Sequence, residues 1–185
     1  MDNLLQWSRS KLNRIHPKKS VFNLRELITD ASEMYSTILA YKEIKFYNNI
    51  KDSISIYADA DLFCCVIRNL ISNSVKYTPA GGRLCIDYTF NGEYVTVIVQ
   101  DSGTGISGPE AGHVFSNDIL SKPGLMQEKG SGLGLKLCKE FVEMNGGKIW
   151  IERSDNNGTS FSFTVPAYSA LNVNEQNLNI QELGS

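Results

Sequence analysis

The stretch NLISNSVKYTP, residues 69–79, carries Asn69, Asn73, Lys76 and Tyr77 within an otherwise apolar pattern. Residues three and four apart are neighbours on a helix, so these four side chains form one polar stripe. By itself such a stripe is compatible with a face turned to water. Two glycine clusters follow it. DSGTGI, residues 101–106, comes directly after the apolar run YVTVIVQ, so Asp101 falls at a strand end with a carboxylate able to accept hydrogen bonds. Gly103 and Gly105 there let a backbone approach a flat ligand. GSGLGL, residues 130–135, runs into a helical pattern, and the unpaired N–H groups at a helix start favour phosphate. Each cluster alone could be an ordinary turn. The spacing Gly130, Gly132, Gly134 is not that of a dinucleotide fingerprint, and no phosphate loop of the G-x-x-x-x-G-K-[ST] type occurs.

Composition sets the frame around these groups. The chain has 185 residues, 42% of them hydrophobic, enough for one domain with a sizeable core. Eighteen basic against 20 acidic residues give a formal charge of −2, which provides no electrostatic pull toward nucleic acid or an anionic membrane. No run has the length of a membrane span, and the opening MDNLLQWSRSKLNR lacks the features of a signal peptide, so the expected location is cytoplasmic. Cys64, Cys65, Cys85 and Cys138 lie in apolar patterns without metal-ligand spacing and read as reduced, buried thiols. His16 and His113 read as solvated side chains.

The elements that must position the polar groups follow from periodicity. A helix is expected over 23–40 with Asn23 as its cap, and another over 60–77 with Asp59 as cap and Leu62, Val66, Ile67, Leu70 and Ser74 inward. Strands are expected at 44–48, 53–58, 83–90 and 94–100, the last two joined by a turn at Asn91-Gly92-Glu93. A helix over 132–145 and strands near 147–153 and 160–165 close the domain. Residues 102–131 lack sustained periodicity and read as a long functional loop. Pairs of strands between single helices predict an α+β two-layer sandwich: a mixed, mostly antiparallel sheet with helices on one face.

Taken in order, NLISNSVKYTP, DSGTGI, Phe115 in a loop, GSGLGL and GTSFSFTVP resemble the N, G1, F and G2 boxes of the catalytic ATP-binding domain of sensor histidine kinases. The resemblance covers residues 20–166 and implies the Bergerat fold with a long ATP lid, shared with DNA gyrase, the Hsp90 chaperones and the MutL repair proteins. It implies ATP and Mg²⁺ as ligands. Asn73 would be the metal ligand, Asn69 would help hold the metal-phosphate group, Lys76 would meet phosphate charge, and Tyr77 would pack along the nucleotide. Asp101 would accept the adenine amino group with Thr159 in support, Gly103, Gly105 and Ile106 would shape the base pocket, and Gly130, Gly132, Leu133 and Gly134 would close the lid on the phosphates. Lys122 and Lys129 are the lid's candidate phosphate contacts.

Related ATPases carry a water-activating glutamate where this chain has Asn69, and an amide is no useful base near neutral pH. The resemblance therefore implies a transferase that hands its γ-phosphoryl group to a histidine, with Asn69 and Lys76 in the catalytic set, rather than a hydrolytic clamp or a silent nucleotide-binding module. Neither His16 nor His113 has the acidic neighbour and downstream proline of the phosphoacceptor motif. The expected organisation is thus a remnant of the dimerisation and phosphoacceptor domain over 1–16, the ATP-binding domain over 17–168 and a flexible tail over 169–185. Expected partners are the kinase's own phosphoacceptor domain, within a homodimer, and a response-regulator receiver domain. Ser74 stands where alanine is common in the family, and Phe115 lacks the family's second phenylalanine.

Overall fold

The computed structural model describes residues 16–107, 111–115 and 133–168. Residues 1–15, expected to belong to a helical remnant, residues 169–185, expected to form a tail, and Lys122, Lys129, Gly130 and Gly132 lie outside the described residues.

Eleven elements run along the described chain: β1 (Ser20–Asn23), α1 (Leu24–Glu33), α2 (Ser36–Tyr41), β2 (Lys45–Asn48), β3 (Ser55–Ala58), α3 (Ala60–Tyr77), β4 (Arg83–Phe90), β5 (Tyr94–Asp101), α4 (Gly134–Met144), β6 (Ile149–Asp155) and β7 (Gly158–Pro166). The main sheet has the order β2-β4-β5-β7-β6. Only β2 and β4 pair in parallel, and every other neighbour is antiparallel. β1 and β3 form a separate antiparallel ribbon, tied to the end of β7 by a bridge between Ile56 and Ala167.

Alternation in the strands decides which face is covered. Leu84 and Ile86, Val95, Val97 and Val99, and Phe161, Phe163 and Val165 are all buried, and the register sets them side by side. A period of two gives one face to the core and the other to polar groups such as Asp87, Thr96 and Gln100. The helices supply the second layer through Leu62, Phe63, Val66, Ile67, Leu70 and Ile71 of α3 and Cys138, Phe141 and Val142 of α4. Phe63 meets Phe163 across the layers with ring centroids 5.7 Å apart. The mixed α/β sandwich expected from the sequence is the fold observed.

Two local expectations need correction. The single helix expected over 23–40 is broken at Met34 and Tyr35. Thr29 and Ser32 turn their hydroxyls back onto the carbonyls of Arg25 and Thr29, and the Tyr35 N–H takes the Ser32 carbonyl three residues back, which tightens and ends α1. Asn23 does cap α1 by accepting from the Glu26 N–H, and Asp59 caps α3 by accepting from that of Leu62. The strand β1, four residues long, is unforeseen in the sequence. Of the four cysteines only Cys138 is fully buried, the others being half-buried; all are free thiols.

Candidate functional site: a buried carboxylate beneath the end of α3

Asp101 is the next residue in the alternation Val95, Val97, Val99, so the strand delivers its carboxylate to the core side of the sheet. The residue is 6% exposed. Its Oδ1 accepts from the backbone N–H groups of Gly103, at 2.9 Å, and Thr159, at 3.2 Å, while Oδ2 accepts from the Ser74 hydroxyl at 3.0 Å. Burial raises the carboxyl pKa above its ordinary value; the three hydrogen bonds and the charge of Arg153 oppose that rise. A carboxylate has about four acceptor sites. Three donors therefore leave Asp101 the capacity to accept one more.

The loop after Asp101 is fastened to the end of α3. Thr104 donates its N–H to the Tyr77 carbonyl at 3.2 Å, and a Cβ on Gly103 would stand 2.7 Å from that same oxygen. Gly105 has φ of +73°, and a Cβ there would stand 2.0 Å from the Asp155 carbonyl. These two glycines make room for neighbouring backbone of the protein itself, which is how the structure uses the close approach anticipated for a ligand. Ile106 follows, its N–H donating to the Ser154 hydroxyl at 2.7 Å, and that hydroxyl lies 3.1 Å from the hydroxyl of Thr159. Gly158, with φ of +126°, is packed so closely that a Cβ would stand 1.9 Å from the Asp101 carbonyl.

The polar stripe of α3 stands beside this pocket. Asn69, Asn73, Lys76 and Tyr77 are all half-buried. The Asn69 amide nitrogen donates to the Cys65 carbonyl at 2.8 Å, which leaves its oxygen toward α4, 2.7 Å from where a Cβ on Gly134 would stand. Glycine at 134 thus lets the start of α4 close on Asn69. Leu133, half-buried, is the N-cap residue of α4, and among the described residues no side chain caps that end. The N-terminus of α4, whose first-turn backbone N–H groups point out along the helix axis, stands beside the stripe. Lys76 holds its ammonium 4.9 Å from the Tyr77 ring centroid. Among the described residues the Asn73 side-chain amide has no hydrogen-bonding partner. Phe115 packs edge-on against Phe161, with centroids 6.3 Å apart, so one phenylalanine suffices to dock this part of the loop on the core.

The structure thus gathers Asn69, Asn73, Lys76, Tyr77, Asp101, Gly103, Gly105, Ile106, Leu133, Gly134 and Thr159 around one region. Sequence reasoning missed Ser154 and Gly158, and noted Ser74 only as an inward position where alanine is common, whereas its hydroxyl holds Asp101. The signal for Ser74 was present: a hydroxyl on the inner side of an otherwise apolar helix face needs a buried partner. Nothing in the local sequence marks Ser154.

The donor set fits a nucleotide with a hard cation: a spare carboxylate acceptor, an amide oxygen, a lysine and the positive end of a helix. Residues 58–169 match the family of histidine kinase-, DNA gyrase B- and HSP90-like ATPases. The chain is 32% identical over 167 residues to the adaptive-response sensory kinase SasA of Microcystis aeruginosa, covering 89% of this chain and 43% of that protein. It is 38% identical over 130 residues to SasA of a Synechococcus strain, covering 69% of this chain and 34% of that protein. The chain therefore spans less than half the length of these relatives. Among solved structures, the catalytic domain of histidine kinase ThkA superposes with a TM-score of 0.71 at 28% identity, over 80% of this chain and 95% of that one. ThkA in complex with the response regulator TrrA gives 0.69 at 25% identity, over 91% and 48%. The chain belongs to the histidine kinase-, DNA gyrase B- and HSP90-like ATPase family, and its place there is among the catalytic domains of sensor histidine kinases.

Proposed function

We propose that the chain binds Mg-ATP and supplies its γ-phosphoryl group to a histidine on an adjoining helical phosphoacceptor domain. The observation that supports this most directly is the buried Asp101 carboxylate, held by three donors and keeping an acceptor site at the end of the pocket. In this reading Asp101 accepts the adenine amino group, with Ser74 and Thr159 fixing the carboxylate's orientation. Asn73 contributes an oxygen ligand to Mg²⁺, which when bound neutralises charge on the phosphate oxygens. Lys76 and the N–H groups at the start of α4 meet phosphate charge, and Asn69 helps hold the same end. The lid positions Lys129, Gly130 and Gly132 would join them there.

Asn69 is no proton acceptor, and its amide nitrogen is already committed to the Cys65 carbonyl. The position that carries the water-activating base in the related ATPases therefore offers none here, which favours keeping ATP for a better nucleophile. Transfer forms a bond from an imidazole nitrogen to the γ-phosphorus as the bond from that phosphorus to the bridging oxygen breaks, and ADP leaves with the electron pair. The protein's share is position and charge. The histidine would then serve a receiver domain, a partnership of the kind seen in the complex of ThkA with the response regulator TrrA, within a homodimeric kinase whose catalytic part is cytoplasmic. Among the described residues no helix is long and apolar enough to cross a membrane.

Labelled ATP provides the test. The chain alone should remain unlabelled, whereas addition of the separately produced phosphoacceptor domain of the same kinase should yield acid-labile, base-stable label on that partner. Asn73→Ala should abolish transfer while the far-ultraviolet circular dichroism stays unchanged, since alanine favours helix. Self-labelling of the chain, or rapid ATP turnover with Asn69 in place, would refute the transferase reading.

A further inference from the structure

Lys42 is a lysine buried to 6% exposure at the end of α2. Its ammonium donates to the carbonyl of Val75 in the last turn of α3, 33 residues away. Among the described residues no carboxylate lies within ion-pair distance of it. A buried charge without a counter-ion is costly unless fixed dipoles replace its water. Here the negative end of α3 does so, because the last four carbonyls of a helix have no partner within it.

Three carbonyls at or near that end have partners. The Ser74 oxygen accepts from the Thr78 N–H at 2.9 Å, the Val75 oxygen accepts from Lys42, and the Tyr77 oxygen accepts from Thr104 of the loop that carries Gly103 and Gly105. The Lys42 carbonyl in turn accepts from the Gly81 N–H at 2.9 Å, so the same residue holds the turn that follows α3. We infer that Lys42 is a positioning residue for the nucleotide site. By clamping the last turn of α3 it sets where Asn73, Lys76 and Tyr77 stand and gives the loop after Asp101 a fixed carbonyl to dock on. It touches no nucleotide itself. The inference rests on the proposed ATP site for its functional half, while the clamping half stands on the contacts alone.

The experiment compares the unsubstituted chain with Lys42→Met, which keeps an apolar stem and removes the ammonium, and with Lys42→Arg, which restores a cationic donor. Amide exchange is read without nucleotide, and ATP, ADP and adenosine affinities are read by calorimetry. In Lys42→Met the amides of Thr78, Gly81 and Thr104 should exchange about tenfold faster, while those of Val97 and Phe163 in the sheet keep their rates. Affinity for all three ligands should fall about tenfold, because the adenine end is displaced, and Lys42→Arg should recover most of both effects. Wild-type exchange at Thr104 with wild-type affinity would overturn the inference. So would acceleration spread evenly over loop and sheet, which would make Lys42 a contributor to global stability only. Should Lys42→Met fail to fold, exchange and affinity in Lys42→Arg decide: values near wild type at Thr104 and for ATP support the clamp, and a folded protein with lost affinity but unchanged Thr104 exchange overturns it. If the unsubstituted chain bound no ATP, the reading of the site would fall, and the Thr104 comparison would still decide whether Lys42 holds the turn.

Discussion

Asp101 pays a desolvation cost that its three donors only partly offset, and that fact has opposite consequences for stability and for binding. Because its pKa is raised, the folded state binds a proton more tightly than the unfolded chain. Its contribution to stability is therefore full below the unfolded value and is lost as pH rises through the folded one. Asp101→Asn, which retains an oxygen for the Gly103 and Thr159 N–H groups, should leave the ligand-free protein at least as stable at neutral pH. The same change should weaken ATP by about 1–3 kcal/mol, since the adenine amino group loses its charged acceptor. Thermal melts and calorimetry read the two effects, and undiminished ATP affinity would remove Asp101 from the pocket. The ionised carboxylate accepts the adenine N–H more strongly than the protonated acid, so ATP affinity should fall as pH drops through the Asp101 pKa. The Ser74 hydroxyl is one of the groups that lower that pKa, and the facing groups are otherwise the Gly103 and Thr159 N–H donors and Arg153. Ser74→Ala should accordingly move the acid limb of ATP binding to higher pH. An unmoved limb would return Ser74 to the role of core filler.

The elements around the site end where side chains and backbone satisfy their orphan groups. α2 closes with a Schellman arrangement, in which the Ile44 N–H reaches the Leu39 carbonyl at 2.9 Å and the Glu43 N–H reaches that of Ala40 at 3.0 Å. Glu43 occupies the left-handed position at φ of 53°, where glycine is unstrained. Glu43→Gly should therefore raise stability by about 0.5–1 kcal/mol despite the greater freedom of the unfolded chain. A chemical denaturation midpoint that moves down would show that the glutamate side chain supplies something the backbone account omits. Since this cap immediately follows Lys42, the substitution also leaves the clamp on α3 in place.

At the scale of the whole molecule the two layers are held by burial rather than by ion pairs. The salt bridges among the described residues are solvent-accessible, as with Arg25 and Asp52, and pairs of that kind contribute little. Phe63 and Phe163, each 1% exposed, join α3 to the interior strand β7. Phe163→Ala should cost about 3–5 kcal/mol of unfolding free energy, read from urea titration. Because β7 also carries Thr159 and Gly158 against Asp101, ATP affinity should decline only as the folded fraction does. A selective loss of affinity in a fully folded variant would mean that the core and the pocket are coupled more tightly than their separation along β7 implies.

Local chemistry determined most of the elements and marked the candidate site residues. Asn23 and Asp59 announced two helix starts, the alternation through β4 and β5 announced a half-covered sheet, and the stripe on α3 with its two glycine clusters announced the site. These signals act within a few residues, where spacing alone dictates geometry. What the tertiary structure decided was which backbone each small residue makes room for and which distant group holds each polar one. Gly103 yields to the Tyr77 carbonyl, Gly134 to Asn69, Ser74 reaches Asp101 and Lys42 reaches Val75. None of these partners is near in sequence, and a hydroxyl, an ammonium or a missing side chain carries no local mark of what it will meet, because only packing of the helical layer on the sheet brings the two together.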